Sequence, residues 1–117
     1  MNLNKIGTLG ENTTVKYLKK NGYKIIDRNY SCRFGEIDII ARKNEYLAFV
    51  EVKARGIDAL FSPIQAVTPG KQNKIKYTAE LYLSEKDIND LQPRFDVSEI
   101  FVKNNKVDKI NYIENAF

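Results

Sequence analysis

A chain of 117 residues, 43% apolar and 29% charged, is sized for one hydrophobic core and is too apolar for a disordered tail. It has no histidine and one cysteine, Cys32, which excludes an intrachain disulfide, a Cys/His zinc centre and any histidine-based triad, and leaves oxygen ligands as the basis for a metal site. The net charge of +4 suits a polyanionic partner without requiring one. No apolar run reaches the length of a membrane span and the N-terminus has no secretory apolar core, so a cytoplasmic protein with no membrane partner is expected.

In chain order, Leu3, Ile6, Leu9, Val15 and Leu18 recur at helical spacing and predict a helix over residues 4–20, stopped by Asn21-Gly22. Gly7 and Gly10 weaken its first half. Residues 23–30 (YKIIDRNY) have strand composition, and 31–34 connect them to Gly35. "GEIDIIAR" and "YLAFVEVKAR" are two further strands around the turn "RKNEY", so an antiparallel meander is expected. After Arg55 the chain is loop-like until Thr68-Pro69, an N-cap residue and a proline at the first helical position. This helix runs to about Leu83, with Ile75, Ala79, Tyr82 and Leu83 inward. Lys71, Lys74 and Lys76 crowd its first half, where the macrodipole disfavours cations; solvated lysines are the plain explanation. "RFDVSEIFV" and "KVDKINYI", joined by Asn104-Asn105, close the chain as two strands, the second at an edge. With no repeat or linker, residues 1–117 are expected to form one α/β domain, a mixed sheet covered by helices.

Charges interrupt the two middle strands. Alternation places Glu36 and Asp38 on one face with Ile37 and Ile39 on the other, and likewise sets Glu51 and Lys53 against Val50 and Val52. The turn decides whether the charged faces coincide: a two-residue turn at Lys43-Asn44 pairs Glu36 with Glu51, and a four-residue turn over 43–46 pairs Asp38 with Glu51. A three-residue loop separates Asp38 from Glu51 unless a bulge corrects it. Adjacent carboxylates with a fixed ammonium suit a divalent cation. The same pattern also describes the wet face of an ordinary hairpin whose charges pair across strands, and spacing alone does not separate the two.

"GEIDIIAR" followed by "FVEVKAR" resembles the metal-dependent nuclease superfamily with the PD-(D/E)XK signature. Asp38 takes the first acidic position and Glu51-Val52-Lys53 the E-x-K element. The chain is more similar still to the small bacterial YraN-like proteins, related to Holliday-junction resolvases and tRNA-endonuclease-like folds: Gly10-Glu11, "RNY" at 28–30, "AVT" with Lys71 beyond it, "RFDV" at 94–97 and the terminal "NAF" fall in the expected order. The resemblance implies a restriction-endonuclease-like αβββαβ core with Asp38, Glu51 and Lys53 as the catalytic cluster. It also implies Glu11 as an additional metal ligand or water-orienting group, and Gln65 as an accessory polar residue beside Glu36. Departures are Ile37 before Asp38 where the superfamily has proline, Thr14 where a small alanine is expected, and Ser62 where a glycine is.

The preferred expectation is a Mg²⁺- or Mn²⁺-dependent endonuclease acting on DNA, branched or distorted duplexes included. Asp38, Glu51 and the Val52 carbonyl would hold the metal, and Lys53 would orient water and stabilise phosphoryl charge. Arg55, Lys71, Lys74, Arg28 and Arg33 are candidate phosphate contacts. Tyr30, Phe34 and Phe61 have faces for unpaired bases, although core packing is the better reading of an aromatic beside apolar neighbours. Symmetric cutting of two strands would call for a homodimer. The alternative is a noncatalytic nucleic-acid-binding or adaptor domain on a nuclease fold.

Overall fold

The computed structural model describes residues 3–56 and 67–117 of the chain. The elements are α1 (Leu3–Lys20), β1 (Lys24–Cys32), β2 (Gly35–Lys43), β3 (Tyr46–Gly56), α2 (Pro69–Glu85), β4 (Gln92–Lys103) and β5 (Lys106–Ile113). The strands form a five-stranded sheet in the order β1-β2-β3-β4-β5. β1, β2 and β3 are the expected antiparallel meander, β4 lies parallel to β3 across the α2 crossover, and β5 returns antiparallel at the edge. This αβββαβ order in a mixed sheet is the restriction-endonuclease-like α/β fold, extended by one edge strand.

Local chemistry explains the boundaries. α1 stops where Gly22, at φ +87°, lets the chain turn back and the Tyr23 amide donate to the Leu18 carbonyl at 2.9 Å. α2 starts at Thr68, whose hydroxyl accepts from the Lys71 amide, with Pro69 behind it. The β2–β3 hairpin closes between Lys43 and Tyr46 around Asn44-Glu45, with Asn44 at φ 55°. That loop is tighter than a four-residue turn, yet it keeps the same register: Ile40 opposes Phe49 and Ile39 opposes Val50, so the next pair in line is Asp38 with Glu51.

The two helices cover opposite faces. Leu18 of α1 packs with Ile39, Ala41, Ala48 and Val50, whereas Ile75, Ala79 and Tyr82 of α2 pack with Ile37, Ile40, Leu47 and Phe49. Residues 47–51 of β3 are consecutively buried because both faces are covered, which is why this strand reads as an apolar run. One expectation fails here. Ile37 and Ile39 do not share a face: Ile37 joins the α2 side and Ile39 the α1 side, so alternation breaks at Asp38. β1 is irregular too: Asn29, across from Asp38, has φ 53°, and the β1–β2 register shifts between Ile25 and Asp27, opposite Ala41 and Ile40.

Candidate active site

The break in alternation is where the charged residues gather. The β2–β3 ladder reaches Ile39–Val50; beyond it the Asp38 side chain takes over, its Oδ2 accepting from the Val52 amide at 2.8 Å. Asp38 thereby sits in the fork between strands, oriented by the backbone of the E-x-K element itself. Glu51, next in register, is 6% exposed. Its Oε1 holds the Lys71 ammonium at 2.6 Å and faces the Lys53 ammonium at 3.7 Å.

Glu11 arrives from the other helix, and Gly10 is the reason. A Cβ on Gly10 would lie 2.8 Å from the Ala54 Cβ and 3.2 Å from Val52 Cγ1, so only glycine lets α1 press onto β3 at this level. Thr14, one turn on and fully buried, anchors the contact: its hydroxyl bonds the Gly10 carbonyl at 2.8 Å and lies 2.7 Å from the Ser98 hydroxyl of β4. The residue that departs from the family pattern therefore has its own buried partner. Asn29 then ties the acids together, its amide donating to Glu11 Oε1 at 3.0 Å and to Glu36 Oε1 at 3.1 Å. The sequence carries Asn29 within the "RNY" motif without a role of its own; the structure holds it in the left-handed region that Asn tolerates.

The electrostatics follow from this crowding. Burial, then the Glu51 charge, with Glu11 and Glu36 adding to them, push the Asp38 carboxyl up to about 7 against the pull of the Val52 amide. Burial and the neighbouring Lys71 charge lower the Lys53 pKa. Burial also pulls on Lys71, but its hydrogen bond and charge attraction to Glu51 win, and its pKa rises.

The remaining predicted residues separate into groups. Arg28 is committed to α1, its Nη2 donating to Asn12 Oδ1 at 2.8 Å and lying 3.8 Å from Glu11 Oε1. Arg55 is half-buried near the end of β3, opposite Phe101 of β4. Lys74 is exposed and lines a cavity with Lys71 and Glu36, and Arg33 is exposed at the β1–β2 turn. Gln65, Phe61 and Ser62 lie outside the described residues. "RFDV" and "NAF" join in a hydrogen-bonded network of their own: Asp96 accepts from Arg94, Tyr112 and the Asn115 amide, the Ala116 amide donates to the Phe95 carbonyl, and Phe117 stacks on Phe95.

Comparison with known proteins bears on the same residues. The chain matches the uncharacterised protein family UPF0102 over residues 10–100, a span that includes Gly10-Glu11 and the whole acidic cluster. The chain belongs to the UPF0102 family. It is 46% identical over 113 residues to a UPF0102 protein of Clostridium tetani, covering 96% of this chain and 93% of the relative. It is 43% identical over 118 residues to one of Dictyoglomus turgidum, with both chains fully covered. A UPF0102 protein of Caldanaerobacter subterraneus is 40% identical over 119 residues, covering 100% of this chain and 98% of the relative. Among the described residues no helix of this UPF0102 protein is long and apolar enough to cross a membrane.

Among the described residues, no three acidic or thiol side chains stand as a ready metal cage. The donor set nevertheless fits a hard cation that keeps most of its waters. Such an ion needs one or two carboxylates, and Glu51 already holds a positive charge against one oxygen.

Proposed function

We propose that this UPF0102 protein is a Mg²⁺- or Mn²⁺-dependent phosphodiesterase acting on DNA. The observation that carries the reading is the placement of Asp38 and Glu51 side by side at the fork of β2 and β3, with Glu11 and Glu36 adding negative charge and Lys53 two residues along the same strand. An excess of buried negative charge costs stability and is retained where a cation is to be held.

Asp38, Glu51 and the Val52 carbonyl would hold the ion, with Glu11 reaching it through water. A divalent cation so held supplies positive charge at the phosphate and lowers the pKa of water toward about 7, which suits a chain without histidine. The Val52 amide holds the Asp38 carboxylate, and Asn29 bridges Glu11 and Glu36 beside it. Lys53 is the positioning cation for the non-bridging phosphoryl oxygen, stabilising charge as water oxygen bonds to phosphorus and the ester oxygen leaves. Lys71 neutralises part of the Glu51 charge, and a cation held by Glu51 would leave its ammonium available to phosphate. Lys74, with Arg33 and Arg55, completes the backbone contacts, and symmetric cutting of a branched substrate would require a homodimer.

One observation favours a noncatalytic DNA-binding or adaptor role. The Lys71–Glu51 pair at 2.6 Å leaves the site partly neutralised by the chain itself. Calorimetric titration with Mn²⁺, followed by cleavage assays on single-stranded, duplex and four-way DNA, separates the two. Catalysis predicts binding that Asp38→Ala abolishes and cleavage that needs the metal. Absence of both binding and cleavage in the parent would favour the adaptor role.

A further inference from the structure

Large apolar side chains that stay in water after folding are few. Among the described residues they are Ile26, Phe34, Tyr77 and Ile113, and the two aromatics touch each other, with ring centroids 5.8 Å apart. Phe34 is 37% and Tyr77 54% exposed. Tyr30 shows what core packing of a nearby aromatic looks like instead: its ring meets Tyr82 edge-on and its hydroxyl donates to Glu85 at 2.7 Å. The exposed pair is also held in place. The Cys32 thiol donates to the Thr78 hydroxyl of α2 at 3.5 Å and accepts from the Phe34 amide at 3.4 Å, so the β1–β2 turn is pinned to the helix that carries Tyr77.

Basic charge surrounds the pair. The Arg33 guanidinium lies 4.8 Å from the Phe34 ring centre. Gly35 follows Phe34, and Lys74 precedes Tyr77 by one helical turn. Both line a cavity of about 360 Å³ that continues past Gly70 and Thr68 to Lys71 and Glu36, and hence to the acidic cluster. That volume falls in the ~300–1,000 Å³ range of sites for small organic groups. An aromatic surface next to lysines matches a nucleotide in both its parts, a flat base and an anionic phosphate. Paired bases in a duplex have no free face to offer.

We infer that Phe34 and Tyr77 form a stacking platform for an unpaired base, with the adjoining phosphate held by Lys74, so that the strand acted on is unpaired beside the cleaved bond. This deepens the nuclease reading by naming its substrate class, and it rests on that reading only for the word cleaved.

The chain contains no tryptophan, so Phe34→Trp creates a single tryptophan reporter that is excited apart from the tyrosines. In EDTA, where no metal-dependent cleavage occurs, a dT12 strand is expected to quench the reporter saturably. The parent should bind dT12 roughly tenfold more tightly than an abasic 12-mer of equal charge, the size of one stacked base. Phe34→Ala and Tyr77→Ala should each erase that preference while leaving abasic binding and the circular dichroism spectrum unchanged. A U12 strand separates DNA from RNA as the source: quenching by either supports the platform, and quenching by neither overturns it. Equal affinity for dT12 and the abasic strand, or emission unmoved at saturation, overturns it as well. Absence of cleavage in Mn²⁺ with base-dependent binding intact removes the nuclease reading and keeps the platform.

Discussion

Asp96 and Asp38 are both carboxylates taken out of water on strands of one sheet, and they are surrounded in opposite ways. Asp96, fully buried, accepts from Arg94 Nε at 2.9 Å and Nη2 at 2.8 Å, from the Tyr112 hydroxyl at 2.6 Å and from the Asn115 amide at 2.9 Å. Arg94 in turn donates to the Tyr23 hydroxyl and approaches Glu114. Asp38 has the Val52 amide and three carboxylates of its own sign, Glu51, Glu11 and Glu36, with Lys71, held on Glu51, as the opposing charge. Satisfied by four donors, two of them on the Arg94 guanidinium, the first carboxylate closes the C-terminal end of the fold onto β4. The second sits among carboxylates that Lys71 and Lys53 offset only in part, the crowding on which the proposed cation site rests.

The comparison breaks first at the satisfied end. Arg94→Met strands a buried carboxylate among its remaining donors and should cost about 3–5 kcal/mol, read as a lowered urea midpoint with unchanged slope. A loss below about 1 kcal/mol would mean that Asp96 is no better compensated than Asp38. Next in size is Gly10→Ala, which forces a Cβ into the Ala54 and Val52 side chains. The overlap should outweigh the helix propensity gained and cost about 1–2 kcal/mol, with weaker Mn²⁺ affinity as Glu11 moves away. Stabilisation of this variant would show that α1 does not press on β3.

Asp38→Asn should do the reverse of Arg94→Met. Because the folded-state pKa is raised from 3.8 to about 7, the folded chain holds the proton more tightly across that interval, and stability is greatest below it and declines as pH rises through it. The variant lacks this decline. Its melting temperature relative to the parent should rise from pH 4 to pH 8, with a gain of about 1 kcal/mol at pH 8 in metal-free buffer, while Mn²⁺ affinity falls sharply. A parallel pH profile in the two proteins would contradict the charge crowding. The smallest stability effect belongs to Lys74→Ala, at an exposed position, where only a few tenths of a kcal/mol are expected. Its signature is in DNA binding: the slope of log affinity against log salt should flatten by about 0.9 if this ammonium neutralises one phosphate. An unchanged slope would leave Lys74 as a solvated charge.

Much of the candidate site was legible because strand parity and turn chemistry are local. A hairpin closing between Lys43 and Tyr46 brings Ile39 opposite Val50 and so the acids that follow them to the same level, and the helix start at Thr68-Pro69 is encoded in two residues. The order of helices and strands, and the family motifs they carry, were readable for the same reason. Other features depend on side chains distant in sequence. Lys71 was read as a phosphate contact, and only the packing of α2 over β3 brings its ammonium onto Glu51. Asn29 bridges Glu11 and Glu36 because Gly10 lets α1 approach. Ile37 turns to the α2 face because Asp38 trades its place in the ladder for the Val52 amide, an outcome alternation alone does not contain. Periodicity records which way a residue points along its own element; what it meets there is settled by the long-range packing that closes the sheet between its two helices.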